Sequence, residues 1–433
     1  MARTEFLSDI KFWRKLAVAT AIVWIVAQII VIARFWGTPQ YTDMGDYIAL
    51  AKRCFAAGEW YPMIDDVHSN CIVALGFINY LILQQHVFGT VDFNPVLNLF
   101  LNIAMMLQVC HLGKKFFSER AGLIAAVIFC LMLSNLFIIV GANTENPFVF
   151  LCMSALCLVF SGKWRLAIGA APLFALANSI RPLAVIFLFA AVVHFVITKA
   201  KLRNYAALLV TYALCLFLIG TFTEKKIGYF VYQSTTSGNN LLQVANDNAK
   251  GTTMTYGSER MFIDNIETLT FLQRDSVWSA RAYSWIKENP VKYASGYLLR
   301  IPGLYVHDHW ALMSHWQKPD SWLAWHESDG ATARSAFVSR MVKNVLMSIP
   351  YYIAFAFFFY AVWVNRRSLL FAKSIFLIIF VTGTLATCLY PVAFRYHYPF
   401  MFAVIIVAGW GADTFLTKNI TRGSYTKKER AGK

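Results

Sequence analysis

Long apolar runs separated by short polar gaps make up most of the chain. Runs at Leu16–Ala33, Pro95–His111, Ala121–Val140, Asn146–Phe160, Trp164–Asn178, Leu183–Thr198, Tyr205–Thr221, Leu346–Val364, Leu369–Tyr390 and Tyr396–Phe415 read as membrane-spanning helices, several of them barely long enough for ~30 Å of hydrocarbon. An eleventh run, Ile72–Phe88, carries Asn79, Gln84, Gln85 and His86. Basic residues fall in particular gaps: Lys114, Lys115 and Arg120; Lys163 and Arg165; Lys199, Lys201 and Arg203; Arg366 and Arg367; and the tail from Lys418. Such residues favour the cytoplasmic side. Arg3, Lys11, Arg14 and Lys15 precede the first run, which reads as a retained anchor with the N-terminus inside. Only an odd number of crossings then fits between the first outer loop and Lys114. Ile72–Phe88 is therefore expected to lie on the surface or re-enter, since its polar groups are costly amid lipid.

This threading gives an all-α polytopic membrane protein of about ten spans with both termini cytoplasmic. Its expected parts are an N-terminal transmembrane module (1–222) including a first outer loop (35–94), an extracytoplasmic loop domain (223–345), C-terminal transmembrane helices (346–417) and a basic cytoplasmic tail (418–433). The outer loop is expected to bear juxtamembrane helices, and the tail from Arg422 to lack fixed structure.

Composition agrees: 58% of the 433 residues are hydrophobic and 14% charged, more apolar surface than a soluble domain hides. The net charge of +16 follows from the basic gaps and implies no nucleic-acid partner. Most of the eight cysteines lie inside apolar runs. Cys54 and Cys71 share the first outer loop, and whether they are bridged is left open. Nucleotide-driven chemistry is disfavoured by the lack of a Walker loop, dinucleotide fingerprint or Gly-x-Ser-x-Gly.

Several polar turns share the outer side: Tyr41–Tyr47 with Asp43 and Asp46, Asn143–Asn146, Ser179–Pro182 and Phe394–Tyr398. The pattern Asp43-x-x-Asp46-Tyr47-x-x-Leu50-Ala51, with Gly58 and Pro62, resembles the first outer loop of type C (GT-C) glycosyltransferases. It is most similar to bacterial members of glycosyltransferase family 39, the protein O-mannosyltransferase-like group. Further matches follow in order: Lys114–Ala121, Thr144-Glu145-Asn146, Arg181-Pro182, Asn239–Gly251, Glu288–Tyr293, and Arg395-Tyr396 with Pro399. One departure is that the family often has an adjacent Asp-Glu pair, whereas these acids stand three apart, which leaves the roles of Asp43 and Asp46 undivided.

The resemblance implies a GT-C-like bundle that moves a sugar, with inversion, from a polyprenyl-phosphate donor to a glycan, lipid or protein acceptor at the outer face of a bacterial plasma membrane. Such a transfer needs a base for the acceptor hydroxyl and cations for the departing phosphate. Asp43 is the candidate base, or else a surface carboxylate capping the following helix. Asp46 either holds that helix N-terminus or serves as a second acid–base or cation-binding group. Glu145 is a third catalytic candidate, or simply a neighbour of a helix N-cap. Arg181 and Arg395 suit the donor phosphate, though interfacial anchoring would use the same residues. Arg300, His397, Tyr47 and Tyr396 complete the donor-site candidates. His307, Asp308 and His309 are outer-loop or acceptor candidates; with His315 they offer histidines to a metal, but neither a cysteine nor an i, i+4 histidine pair accompanies them. A divalent cation is left open. Competing functions are an O-antigen polymerase or ligase, and a flippase or transporter of lipid-linked sugar.

Overall fold

The computed structural model describes residues 9–40, 42–249, 259–306, 308, 342, 345–367 and 372–431. His307 and His309 lie outside these residues. Among the described residues every regular element is helical. In chain order the helices are α1 (Ile10–Phe35), α2 (Asp43–Ala56), α3 (Leu75–Phe88), α4 (Asn94–Phe116), α5 (Glu119–Leu131), α6 (Leu133–Phe137), α7 (Glu145–Val159), α8 (Trp164–Ile180), α9 (Ala184–Ile197), α10 (Leu202–Ile227), α11 (Ser237–Leu242), α12 (Phe271–Glu288), α13 (Pro290–Leu304), α14 (Ile349–Val364), α15 (Ile375–Thr387) and α16 (Tyr398–Ala431). The last helix continues to Ala431, so its backbone does not lose structure at Arg422 as expected from composition.

Helices α1, α4, α10 and the Arg395–Lys418 stretch are long and apolar enough to cross a bilayer, which makes this a membrane protein. Five shorter apolar helices, α7, α8, α9, α14 and α15, stand where spans were expected. Helix α3 has 14 residues, about 21 Å of rise, and packs on α2 and α8. Its Asn79 clamps Tyr61, accepting from that residue's N–H at 2.9 Å and donating to its carbonyl at 2.8 Å. Small residues bring the long helices together: a Cβ at Gly113 of α4 would stand 2.7 Å from the Cα of Gly122 of α5.

The run Ala121–Val140, which reads as one span, is broken. Met132 adopts φ −71°, ψ 123°, and the two halves meet at 64°. A break inside a bundle frees backbone carbonyls that lipid cannot satisfy. Helix α4 supplies the partners from Asn94, Asn98 and Asn102, whose spacing of four aligns them on one face. Asn102 donates to the Asn135 carbonyl at 2.5 Å, Asn98 to Ile139 at 3.0 Å and Gly141 at 3.2 Å, and Asn94 to Gly141 at 3.2 Å. We expect Asn98→Leu to lower the thermal midpoint of the detergent-purified protein, since each stranded buried carbonyl costs about 1–3 kcal/mol. An unshifted melt would show that the break is held some other way.

The polar region after α10 is sewn back onto the first loop. Thr235 and Ile72 exchange N–H···O contacts, 2.8 Å from Thr235 N to the Ile72 carbonyl and 2.9 Å from Ile72 N to the Thr235 hydroxyl. Ala74 N donates to Ser234 at 2.8 Å. Asp275 of α12 caps α11 by accepting from Gly238 N at 2.7 Å. Leu241, Leu242, Ala245, Trp278, Ala282 and Trp285 form a satellite core there. Cys54 and Cys71 are unbridged.

Candidate active site

Helix starts and stops converge on one cavity of about 470 Å³. Asp43 is the first residue of α2, and Glu145 the first of α7. The N-terminal peptide dipoles of a helix favour a carboxylate at such positions. Arg181 ends α8, because Pro182 forbids another helical turn and leaves the preceding residue extended, at φ −144°, ψ 128°. Arg395 and Tyr396 sit in the tight turn Phe394–His397 just before α16. All five residues line the cavity, together with Tyr47.

Their charges form a chain. Arg395 Nη2 donates to Asp43 Oδ2, and its Nε stands 4.0 Å from Glu145 Oε1. Arg181 Nη1 donates to the same Glu145 oxygen at 2.5 Å and to the Thr144 hydroxyl at 3.3 Å. The Thr144 hydroxyl donates to Glu145 Oε2 at 3.2 Å. Both guanidiniums also rest against the Tyr396 ring, 5.4 Å and 5.5 Å from its centroid. The two carboxylates differ sharply: the Glu145 side chain is 2% exposed, that of Asp43 47%. Glu145 is thus the buried counter-ion that lets two cations share one wall, while Asp43 faces the open space. Burial, helped by the Asp43 charge, pushes the Tyr47 phenol up, so it remains an O–H donor at neutral pH.

Another part of the lining is neutral and polar. Gln233, Ser234, Thr236, Ser237, Asn240 and Gln243 supply amides and hydroxyls; the last two fall within the Asn239–Gly251 match, and the first four did not stand out among the sequence candidates. The available signal was the Gln233–Ser237 polar run, separated from the end of α10 by Gly228–Tyr232.

Other sequence candidates lie elsewhere. Asp46 is exposed in the first turn of α2 and does not line the cavity. Arg300 is buried and donates to the Cys388 carbonyl at 2.7 Å, with its guanidinium over Tyr293 and Tyr297. His397 is buried as well, its Nδ1 2.9 Å from the Leu304 carbonyl and its Nε2 3.1 Å from Asp308. Asp308 also accepts from the Ser134 hydroxyl at 2.7 Å. These three residues are held by such partners and do not line the cavity. Among the described residues no group of three His, Cys, Asp or Glu could hold a metal.

The cavity and the basic turns occupy opposite helix ends. Glu145 opens α7 and Ile180 closes α8 at the cavity, while Lys163 stands in the connection between their far ends. Likewise α15 reaches the cavity with Thr387 at its C-terminus, with Lys373 just before its start.

No family model matches the chain, and no curated protein matches it. Solved structures do. A crystal structure of the Archaeoglobus fulgidus oligosaccharyltransferase in complex with zinc and sulfate aligns with a TM-score of 0.50 at 12% identity, covering 96% of this chain and 51% of that one. A second structure of that protein, tethered by a disulfide to an acceptor peptide, aligns with a TM-score of 0.46 at 11% identity, covering 93% and 50%. The chain spans about half the length of the protein it matches. The first likeness is one of fold alone.

Proposed function

We propose that this protein transfers a sugar from a polyprenyl-phosphate donor to an acceptor at the extracytoplasmic face of a bacterial plasma membrane, with inversion at the anomeric carbon. The observation that carries the reading is the cavity that brings a half-exposed carboxylate, Asp43, together with the guanidiniums of Arg181 and Arg395. In the proposed step the acceptor oxygen attacks the anomeric carbon while Asp43 takes its proton. The bond from that carbon to the phosphate oxygen breaks, and the electron pair leaves with the phosphate, whose charge the guanidiniums receive. Glu145 positions both cations without touching substrate. The amide and hydroxyl wall suits sugar hydroxyls, which both donate and accept. The crowding of Lys163, Lys199 and other basic residues at helix ends away from the cavity supports an outward-facing site.

A second feature fits the lipid tail. An apolar groove of about 490 Å³ runs between α13, α14 and α15, walled by Tyr305, Phe355, Phe359 and Phe380. Thr384 lines this groove and Thr387, one turn on, lines the cavity, so a prenyl chain in the groove would present its phosphate to the charged wall.

The test is mass analysis of envelope glycans from cells with and without the protein. Loss of a single-sugar increment is expected, and its mass and location name the donated sugar and its recipient. Purified protein that moves lipid-linked sugar across liposomes without making a glycosidic bond would overturn the reading in favour of a flippase. We further expect Arg395→Ala to weaken polyprenyl-phosphate binding more than acceptor binding. Arg395→Lys should recover part of the loss, since it restores charge but not the fork; equal losses for donor and acceptor would contradict a phosphate role.

A further inference from the structure

We propose that Arg395 keeps Asp43 masked in the unliganded protein, and that the donor phosphate unmasks this base by taking Arg395 from it. The inference rests on the transfer reading above and adds an order to it: the donor binds before the acceptor hydroxyl can be deprotonated.

The charge chain is the starting point. Each guanidinium in the cavity already faces a carboxylate, Arg181 against Glu145 and Arg395 against Asp43. An anionic phosphate entering the cavity therefore competes with these partners for their cations. Burial decides which partner gives way. The Glu145 side chain is 2% exposed, and separating a buried pair leaves an uncompensated charge. The Asp43 side chain is 47% exposed, and pairs open to water are held only weakly. The Asp43–Arg395 contact is the one that yields.

Stereochemistry leads to the same place. An inverting displacement puts the attacking oxygen and the leaving oxygen on opposite faces of the sugar. In inverting glycosidases the groups serving the two faces stand about 6.5–9.5 Å apart. A base that must serve the face opposite the phosphate is better placed away from the phosphate's own cation, so the observed contact is assigned to the resting protein. On donor binding the Nη2 hydrogen bond passes from Asp43 to a phosphate oxygen, while Nε stays beside Glu145, which keeps the guanidinium in place. No covalent bond changes in this exchange. The carboxylate it releases then receives the acceptor proton.

The experiment is a double-mutant cycle on lipid-phosphate affinity. Binding of undecaprenyl phosphate to the detergent-purified full-length protein is measured by native mass spectrometry for wild type, Asp43→Asn, Arg395→Gln and the double variant. Melting points report whether each is folded. Asp43→Asn is expected to bind about tenfold more tightly, because its competitor for Arg395 is gone, with that gain absent in the Arg395→Gln background. Unchanged affinity in Asp43→Asn overturns the proposal. So does an equal gain in both backgrounds, which would reflect charge repulsion alone. Should Arg395→Gln not fold, Arg395→Lys takes its place, where an undiminished gain is the overturning result. Wild-type protein that binds no lipid phosphate sinks the transfer reading itself, an outcome separate from any behaviour of the cycle.

Discussion

Asp43→Asn is expected to lower the rate of sugar transfer by about 10²–10⁴-fold, the range for removing a positioned general base. The substitution is nearly isosteric and acts on a half-exposed side chain at the start of α2, so the fold should persist. Turnover should therefore fall without a matching rise in KM for the donor, a split that places the loss in the chemical step. Asp46→Asn is the natural comparison. It lies one turn along the same helix, carries the same charge and does not line the cavity, so transfer should stay within about threefold of wild type. The assay is transfer in washed membranes, using the lipid-linked sugar identified from the glycan comparison. Full activity in Asp43→Asn would remove the proposed mechanism, and equal loss in both variants would point to helix capping instead.

The parts of this site that could be read in the sequence are those fixed by local signals. An acid ten residues past the first apolar run, and an arginine between the Tyr390-Pro391 turn and the last run, mark helix ends, and these ends meet at one cavity. Pro182 likewise announces that Arg181 closes a helix. What could not be read depends on contacts between distant residues. The Arg181–Glu145 pair spans 36 residues and the Arg395–Asp43 pair 352, and no periodicity encodes either. Arg300 and His397 look functional because polar groups in apolar surroundings are scarce. Their actual partners are the backbone carbonyls of Cys388 and Leu304, which α15 and α13 expose near their ends. The break at Met132 lies inside a run that reads as one span, with Ser134 and Asn135 its local polar mark, and a further imprint is present elsewhere. Asn94, Asn98 and Asn102 repeat at helical spacing, a pattern that lipid-facing residues would not tolerate. Most of the neutral wall escaped because amides and hydroxyls beyond a helix end look like any loop.

Glu145→Ala should be among the most destabilising single changes at this site, by about 3–5 kcal/mol, because it strands buried charge. Arg181 would lose its 2.5 Å partner, and Arg395 the carboxylate 4.0 Å from its Nε, on a wall where both guanidiniums rest against Tyr396. Glu145→Gln keeps the volume and can still accept from Arg181, so its melting point should fall between those of wild type and the alanine variant. The double change Glu145→Ala with Arg181→Ala gives the sharper check. Removing the stranded cation should recover part of the stability, a non-additivity expected for direct partners. A residue that acted as catalytic acid without holding the wall would behave differently. Glu145→Ala would then melt like wild type while losing activity, and adding Arg181→Ala would only destabilise it further. Because Asp43→Asn is expected to abolish transfer with little change in melting, the two carboxylates of one cavity should separate cleanly, the half-exposed one through chemistry and the buried one through stability.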